Sequence, residues 1–533
     1  MKNLLNRVHA TISGRAFQRA KFIAACVIIA GCAFNIVSLI AHSTQILWNN
    51  GRLAPSFAIL SGYHPYYPRE SGPILDTIYT PLTYLFYLPC GIFFQHVSLA
   101  IITGSILSFF AFIAPLAIIA HRFRTATVDR EMIWIITLIL LQVIAYQTLS
   151  WSVFVIHADA PSILFAALCV LFLDNRGEPV SGRNLLLSVI CGTASAWSKQ
   201  TMAPILVLPV ATAFFQNPAG RSWIKLCGSI VVLNAGLFLA FSACWGMDAM
   251  IENVWRIPSH HAINYATFNG IDRDSIAPTA GAKITSEIVQ IDVIAGKYLS
   301  PYILLIFLFS VASRFAMAPA GFSLRIPRLA MLLLWAALIS LPGAAAAEIK
   351  EAGYVNDECP FAWFLFLAFF TIIMGERQSR QPDSPPVLTP GRIIRPVLLG
   401  IGIIGLIHTT AHFRENFKWI TTAFQNANET AVDVSRRFPG QYFFPQHPLT
   451  GFIVDKKFYH YDAGIYERQV AGRGPTPDHY SAYIPSTATV WAWPKGFPIG
   501  YSTLPHLPGF RATNGPPGTA EDQFEWYTFN HTP

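Results

Sequence analysis

Seven ionisable side chains lie beside long apolar stretches of the sequence, and their types suit proton transfer and anion binding. Carboxylates and a histidine can take or give a proton, and a lysine can hold an anion. An ionisable residue beside a membrane span is costly to place there, which makes it a functional-site candidate. The seven residues are Asp76, His157, Asp159, Lys199, Lys350, Asp357 and Glu358.

The elements that must position these residues are membrane-spanning helices. The sequence has a mean hydropathy of +0.42 and only 12% charged residues. Such values predict a polytopic membrane protein and exclude an ordinary soluble core. Four runs that lack acidic and basic side chains until their ends are Ile23–Ala41, Val97–Ala120, Trp134–Leu149 and Leu299–Phe315.

Hydropathy predicts about eleven spans, since each needs roughly 17–25 apolar residues. The fold class is therefore an all-α polytopic membrane domain, residues 1–411, followed by a small C-terminal α+β domain, residues 412–533 (the tail). The first outer loop, 42–96, holds an interfacial helix over Thr80–Phe94, and a second large outer loop covers 246–298. The predicted spans are 22–41, 97–120, 131–149, 160–174, 184–198, 201–216, 224–245, 299–315, 329–347, 361–375 and 394–411.

Basic residues give the orientation. Lys and Arg precede the first span without any acid among them, so the N-terminus is predicted to be cytoplasmic and the tail extracytoplasmic. Most of the net charge of +8 falls in short loops on the cytoplasmic side. This excess is therefore a topology signal and not a nucleic-acid-binding surface. We expect an integral protein of a bacterial inner membrane.

Several kinds of chemistry are excluded. The cytoplasmic loops are too short for a nucleotide-binding domain and carry no P-loop or dinucleotide fingerprint. The eight cysteines lie in or beside spans, and the tail has none. The sequence therefore supports neither a disulfide framework nor a metal-binding motif.

Five segments, taken in chain order, resemble motifs of the GT-C integral-membrane glycosyltransferases. Gly62-Tyr-His-Pro-Tyr resembles the Gly-x-x-Pro-Tyr turn of that superfamily, and Tyr79-Thr-Pro-Leu resembles the start of its interfacial helix. Lys199-Gln-Thr and Lys350–Asp357 are similar to two further motifs, and Tyr459–Glu467 looks like part of the family's soluble tail. The likeness is to the bacterial branch that uses polyprenyl-phosphate sugars and includes protein O-mannosyltransferases and aminoarabinose transferases.

The resemblance implies a transferase that takes a sugar from a polyprenyl-phosphate carrier in the membrane. The sugar would pass to an envelope lipid, polysaccharide or protein on the outer face, with no nucleic acid as partner. Such a reaction needs a carboxylate to accept the acceptor's proton and cationic or amide donors for the leaving phosphate. Its transition state is oxocarbenium-like by analogy with glycoside hydrolysis. The resemblance leaves open a divalent cation as cofactor.

The catalytic base departs from the family's pattern. Many relatives carry an Asp shortly before the Gly-x-x-Pro-Tyr turn, where this chain has Asn49 and Asn50. The acids that the first outer loop does contain are Glu70 and Asp76. Asp76 lies closer to the interfacial helix, so we expect it to be the base, with Glu70 as the alternative. Asp76 could equally cap that helix as an N-terminal acid.

Asp159 and Lys199 occupy the ends of predicted spans. We expect Asp159 to be a catalytic residue that orients the sugar or the carrier, against a simple cap before Pro161. The resemblance gives Lys199 the role of binding the donor phosphate, against snorkelling to the lipid headgroups.

The remaining candidates are secondary contacts. Lys350 is a further phosphate-binding candidate, and His157, Tyr79, Asn356 and Asp357 are expected to contact substrate. For Lys350 and its neighbours the alternative is a solvated loop. For His157 it is a structural histidine at the interface.

Two other classes of function compete with the transferase. A secondary transporter is the first, but the sequence shows no internal repeat, and its ionisable residues gather at one membrane face and not at the midplane. A non-catalytic lipid-carrier or envelope-assembly protein is the second, and the Asn49–Asn50 departure favours it.

The predicted orientation has a direct test. A periplasm-active reporter fused after Arg414 should be active, because the alternation of basic loops places the tail outside the cytoplasm. A fusion at Arg124, in a basic cytoplasmic loop, is the matched control and should be inactive. The reverse pattern would contradict the orientation.

Overall fold

The computed structural model describes most of the membrane domain and most of the tail. The described residues are 29–122, 150–175, 178–261, 327–348, 350, 355–375, 411–495 and 511–528 without 514 and 517–522, with a few positions before residue 29. The predicted spans 131–149 and 299–315, and all but the last residue of 394–411, lie outside this set.

Every predicted span that falls on described residues is helical. Runs of Leu, Ile, Ala and Phe favour helices in lipid because a helix satisfies all of its own backbone hydrogen bonds. The sixth predicted span, 201–216, consists of the 3-10 helix Gln200–Leu206 followed by the α-helix Val207–Gln216. The helices are Ile29–Gln45, Val97–Arg122, Asp159–Leu173, Gly182–Ala196, Val207–Gln216, Ser222–Trp245, Arg328–Glu348 and Cys359–Gly375.

Two of the described helices, Val97–Arg122 and Ser222–Trp245, are long and apolar enough to cross a membrane alone. Ile29–Gln45 together with Trp48–Leu60 makes a third candidate, although the pair bends by 78° at its break. Other apolar helices are shorter; Asp159–Leu173, at 15 residues, extends only about 22 Å. The chain is an integral membrane protein, and the count of about eleven spans remains a prediction.

A single apolar core joins the membrane helices. It contains Phe112 on Val97–Arg122, Val170 on Asp159–Leu173, and Trp363 on Cys359–Gly375, all fully buried. The Trp363 indole meets the Phe112 ring edge-on at 5.3 Å between centroids. These contacts fix the helix ends from which the polar residues project.

The first outer loop contains a helix that hydropathy does not predict. Trp48–Leu60 is a 13-residue helix that buries Leu53 and Phe57 on one side. The predicted interfacial helix over 80–94 is two pieces, the α-helix Pro81–Phe86 and the 3-10 helix Leu88–Phe93. Pro89 explains the break, since it lacks an N–H and disfavours α geometry in the residue before it.

The tail is a small α+β unit. Its sheet has the order β1-β2-β4-β3, in which β1 and β2 are parallel and the other pairs antiparallel. The second helix of the tail begins at Ala427, because the Asn426 side chain accepts hydrogen bonds from the Asn428 and Glu429 backbone amides and caps it there. The elements are helices Phe413–Thr421, Ala427–Arg437, Pro448–Asp455, Asp462–Val470 and Pro477–Ala482, and strands β1 Tyr442–Phe443, β2 Val490–Pro494, β3 Arg511–Thr513 and β4 Phe524–Thr528.

The tail packs on the first outer loop through polar and apolar contacts. Asn50 Nδ2 donates to Asn428 Oδ1 at 2.9 Å, and the Leu449 backbone amide donates to Asn50 Oδ1 at 3.0 Å. Phe452 and Leu449 share a buried cluster with Leu53 and its neighbours on Trp48–Leu60. The tail and the loop therefore form one continuous structure.

A buried acid makes the stability of the tail depend on pH. Burial raises the pKa of the Asp462 carboxyl group from its usual 3.8 to about 7, and Gln446 Nε2 donates to it at 2.6 Å. Between these two pKa values the folded chain holds a proton that the unfolded chain releases. Stability should therefore fall as pH rises from about 4 to about 7 and stay low above that.

Asp462→Asn should abolish most of this pH dependence and raise stability at pH 8 by on the order of a few kcal/mol. The measurement is limited proteolysis of the tail in the full-length detergent-solubilised protein, over temperature at several pH values. Asp478→Asn, at an exposed position of the same domain, is the control. Equal pH slopes for Asp462→Asn and wild type would contradict the assignment.

Candidate active site

A small cavity lies between the first outer loop and the start of the Asp159–Leu173 helix. Its empty space is about 210 Å³ when the open solvent at its mouth is included. Its walls carry a guanidinium, a carboxylate, an imidazole and several hydroxyls. The lining residues are Arg52, Asp76, Tyr79, Thr83, Tyr84, Tyr87, Ile156, His157 and Ala158.

A chain of hydrogen bonds runs from the cavity wall to a buried carboxylate. The Tyr79 hydroxyl lies 2.6 Å from His157 Nε2, and His157 Nδ1 lies 2.6 Å from Asp159 Oδ2. Burial lowers the pKa of His157 to about 4, although Asp159 opposes that shift, so the imidazole is neutral at neutral pH. A carboxylate only accepts, so Nδ1 carries the proton and Nε2 accepts from Tyr79.

Lys199 joins two carboxylates behind this chain. Its Nζ donates to Asp159 Oδ1 and to Asp357 Oδ1, both at 2.7 Å. The Asp159 side chain is completely buried and that of Lys199 is 4% exposed. Ser152 Oγ also donates to Asp159, at 3.3 Å. Because an isolated buried charge is very costly, these partners keep Asp159 ionised inside the protein.

Backbone contacts hold the two halves of this network together. The Lys199 backbone follows the Gly182–Ala196 helix in a tight turn, residues 196–200, against which the interfacial helix docks. Leu82 N donates to Trp197 O at 3.0 Å, Thr83 Oγ1 donates to Ser198 O, and Gln200 Nε2 donates to Ile78 O at 3.0 Å. Tyr79 and Lys199 are thereby fixed on opposite sides of His157 and Asp159.

Asp76 and Arg52 face each other across the cavity. Arg52 comes from the Trp48–Leu60 helix, where its guanidinium donates to Ile156 O at 3.2 Å and lies over the Trp48 ring. Burial raises the pKa of Asp76, and the positive charge of Arg52 opposes that rise. A base and a cation thus share one small volume.

The structure can be compared with known proteins. Neither a protein-family model nor a curated protein sequence matches the chain. Among solved structures, ArnT from Cupriavidus metallidurans bound to undecaprenyl phosphate superposes with a TM-score of 0.53, at 11% identity, over 94% of this chain and 97% of that one. The chain has the GT-C fold.

Two other solved structures resemble the chain less closely. The first is apo ArnT from the same organism, with a TM-score of 0.49 at 11% identity, over 96% of this chain and 98% of that one. The second is the archaeal oligosaccharyltransferase AglB from Archaeoglobus fulgidus in complex with an inhibitory peptide and a dolichol-phosphate. Its TM-score is 0.36 at 11% identity, over 88% of this chain and 69% of that one.

In this GT-C fold, Asn49 and Asn50 serve as buried structural amides. Asn49 Oδ1 accepts from Ile156 N at 2.9 Å, and its Nδ2 donates to Ser43 O at 2.8 Å. Asn50 likewise donates and accepts in its contacts with the tail. Both side chains use their N–H groups, which an Asp could not supply. These contacts give a physical reason for amides at the position where the sequence resemblance leads one to expect an acid.

Other predicted site residues lie apart from the cavity. Glu70 accepts from Thr476 Oγ1 at 2.6 Å and from Thr476 N at 3.0 Å, in the contact between the loop and the tail. Lys350 Nζ donates to Pro258 O at 2.8 Å. Asn356 belongs to the turn Val355–Glu358 that carries Asp357, and its side chain lies outside the described part of the structure. The functions predicted for these residues remain predictions.

Sequence reasoning did not find Arg52. It lies on a helix that hydropathy assigns to a loop, and a single arginine in a predicted loop forms no recognisable functional motif. The Trp48-x-x-x-Arg52 spacing, which stacks the cation on the indole, is the signal that was available.

The donor set for a metal ion is weak in the described residues. Within them, no three or more His, Cys, Asp or Glu side chains come together as a candidate metal site. Asp159 is instead paired with Lys199, and Asp76 lies in the electrostatic field of Arg52.

The Asp159–Lys199 pair should show strong coupling in a double-mutant cycle. Lys199→Met leaves the buried Asp159 carboxylate without its cation, which costs roughly 3–5 kcal/mol. Adding Asp159→Asn removes that charge, so the double variant should lose much less than the sum of the two single variants. Thermal unfolding of the protein in detergent measures this.

The matched control is the Arg122–Asp174 pair, whose side chains are 27% and 9% exposed and 3.3 Å apart. The same cycle with Arg122→Met and Asp174→Asn should give a coupling below about 1 kcal/mol. Additive effects at Lys199 and Asp159 would contradict the buried ion pair.

Proposed function

We propose that this protein is a membrane glycosyltransferase that moves a sugar from a polyprenyl-phosphate carrier to an envelope acceptor at the outer face of the membrane. The observation that carries the proposal is the convergence of Asp76 and Arg52 in one small cavity of a GT-C fold. A carboxylate and a cation lining one cavity match the two needs of glycosyl transfer, a proton acceptor and a stabiliser of the leaving phosphate.

The fold supports the lipid carrier as donor only indirectly. The ArnT structure with the TM-score of 0.53 is that of the protein bound to undecaprenyl phosphate. At 11% identity that likeness concerns the fold, so the donor class is carried over here as part of the proposal.

The proposed reaction is one displacement at the anomeric carbon. The acceptor's O–H or N–H group attacks that carbon, and its proton passes to Asp76. The bond between the anomeric carbon and the phosphate oxygen breaks, and its electron pair stays on the phosphate. Arg52 stabilises the charge that develops there, and its planar guanidinium suits two phosphate oxygens. The raised pKa of Asp76 brings it closer to the operating pH, where a general base works best.

The buried network behind the cavity has a supporting role in this scheme. Tyr79, His157 and Asp159 form a fixed line of donors and acceptors, and Lys199 neutralises its inner end. Lys199 is also our predicted phosphate ligand, but two of its three N–H groups already bind carboxylates and its side chain is only 4% exposed, so a single, poorly accessible N–H group is left for a phosphate. Arg52 is therefore the better candidate for the phosphate contact.

The competing functions make different demands. A transporter needs a path for its substrate near the bilayer midplane, whereas the polar network of the described residues gathers where the first outer loop meets the helix ends. A non-catalytic carrier-binding protein would keep Arg52 but would have no use for Asp76.

Asp76→Asn tests the proposal. It should reduce sugar transfer about 100- to 10,000-fold because it removes only the proton acceptor, while binding of undecaprenyl phosphate stays near wild type. The assay is transfer of radiolabelled sugar from polyprenyl-phosphate donors to envelope fractions by purified protein in detergent. Glu70→Gln, at the other acid of the loop, is the control and should retain activity.

Arg52→Gln should instead weaken the binding of undecaprenyl phosphate to the purified protein about ten- to a hundred-fold. Wild-type turnover in Asp76→Asn would remove Asp76 from the reaction. Carrier binding by the wild-type protein without transfer to any acceptor would favour the non-catalytic alternative.

A further inference from the structure

The segment that carries Asp76, residues 73–79, is neither helix nor strand, so side-chain hydrogen bonds must fix its course. The Tyr84 hydroxyl donates to Asp76 O at 3.1 Å. At the next residue, Thr77 Oγ1 donates to Asn253 Oδ1 at 3.0 Å, and Leu75 O is a more distant acceptor at 3.5 Å. Thr77 and Asn253 are both buried. A side chain of the second outer loop thus binds the neighbour of the proposed base.

The Asn253 amide uses all of its hydrogen-bonding capacity. Its Oδ1 also accepts from Arg468 Nη2 at 2.7 Å, and its Nδ2 donates to Tyr67 O and Ala249 O, both at 2.8 Å. An amide offers two N–H donors and two acceptor positions on its oxygen, so all four are filled here. Because the two carbonyl groups can only accept, the Oδ1 atom must face Thr77 and Arg468.

The tail holds Asn253 in place from the opposite side. Asn253 belongs to a π-helix, Ile251–Arg256, and such wide turns are frequent at functional sites. The Arg473 guanidinium donates to both carboxylate oxygens of the adjacent Glu252, with Nη2 at 2.7 Å from Oε2. The Arg473 backbone amide also donates to Arg468 O at 2.7 Å. Two arginines of the tail therefore bind two consecutive residues of the π-helix.

The tail also holds the chain on the other side of Asp76. Ile74 N donates to His460 Nδ1 at 2.9 Å, and the backbone amide of Tyr461 donates to Ile74 O at 2.8 Å. These bonds keep the segment docked whatever occupies position 77. The Thr77 hydroxyl sets the course of the chain after Asp76, so its loss should shift Asp76 without undocking the segment.

We infer that Asn253 is a positioning residue of the active site, which acts through Thr77 to fix the Asp76 carboxyl group in the cavity. The inference rests on the proposed function for the role of Asp76 in catalysis. Misplacing a reacting group by about 1 Å can lower a rate about 100-fold. The second outer loop and the tail thereby contribute to the geometry of the site through one amide.

Thr77→Val tests the inference, because it removes the hydroxyl and keeps the shape while Asn253 Oδ1 stays bonded to Arg468. The kcat for sugar transfer should fall about 10- to 100-fold, and the Kd for undecaprenyl phosphate should stay near wild type. Thr77→Ser keeps the hydroxyl and should restore most of the kcat. The matched control is Thr487→Val, which loses a hydrogen bond to Gly440 O within the tail and should retain the wild-type kcat.

A double variant shows whether the effect passes through Asp76. In the Asp76→Asn background, Thr77→Val should cause little further loss of transfer, because the base that it positions is already gone. Asn253→Ala should lower the kcat at least as far as Thr77→Val does. Additive losses in the double variant, or a wild-type kcat in Thr77→Val or Asn253→Ala, would overturn the inference.

Amide hydrogen exchange detects the same contact without turnover. In the full-length protein in detergent, peptides that cover residues 74–79 should exchange faster in Thr77→Val than in wild type, because the segment has lost one of its fixed points. Thr77→Ser and Thr487→Val should exchange at the wild-type rate. Equal exchange in Thr77→Val and wild type would contradict a positioning role.

The measurements separate the failure of the inference from that of the function. Transfer by wild type with an unchanged kcat in Thr77→Val overturns the inference and leaves the proposed function standing. No transfer by wild type, together with faster exchange in Thr77→Val, overturns the proposed function and supports the hold of Asn253 on the Asp76 segment.

Discussion

The structure around the cavity depends on keeping one carboxylate ionised where water does not reach. Asp159 is fully buried, and its charge is supportable only if cations and hydrogen-bond donors surround it. Lys199, His157 and Ser152 meet that need; Lys199 comes from the turn after the Gly182–Ala196 helix, whereas His157 and Ser152 lie just before Asp159 in the chain. Satisfying Asp159 therefore forces the loop, two helix ends and the Asp357 turn to meet at one point.

The sequence predicts much of this meeting point. Charges that interrupt apolar runs are costly, so Asp159, Lys199 and Asp357 stand out in hydropathy alone, and the structure brings them within hydrogen-bond distance. Tyr79 was predicted from a sequence motif and His157 from its position beside Asp159, and both side chains also join the network. The GT-C fold expected from the motifs agrees with the structural comparison. The roles of the individual residues remain to be measured.

The sequence does not predict the residues whose importance comes from tertiary packing. The Trp48–Leu60 helix mixes polar and apolar residues and follows a span, so hydropathy assigns it to a loop, and Arg52 is lost with it. Asn49 and Asn50 look like a missing base until their buried hydrogen bonds are known.

The packing of the tail on the first outer loop has a consequence for the order of biosynthesis. The loop is made early, yet residues such as Asn50 find their partners about 400 positions later in the chain. Contacts so distant in sequence form late, because the intervening chain must be completed first. A nascent chain would thus insert its helices and meet membrane lipids before the tail packs on the first outer loop. A chain truncated before residue 447 would lack the Leu449 amide that binds Asn50 and the side chains that cover Trp48–Leu60, and would leave the buried side of this helix uncovered at the membrane face.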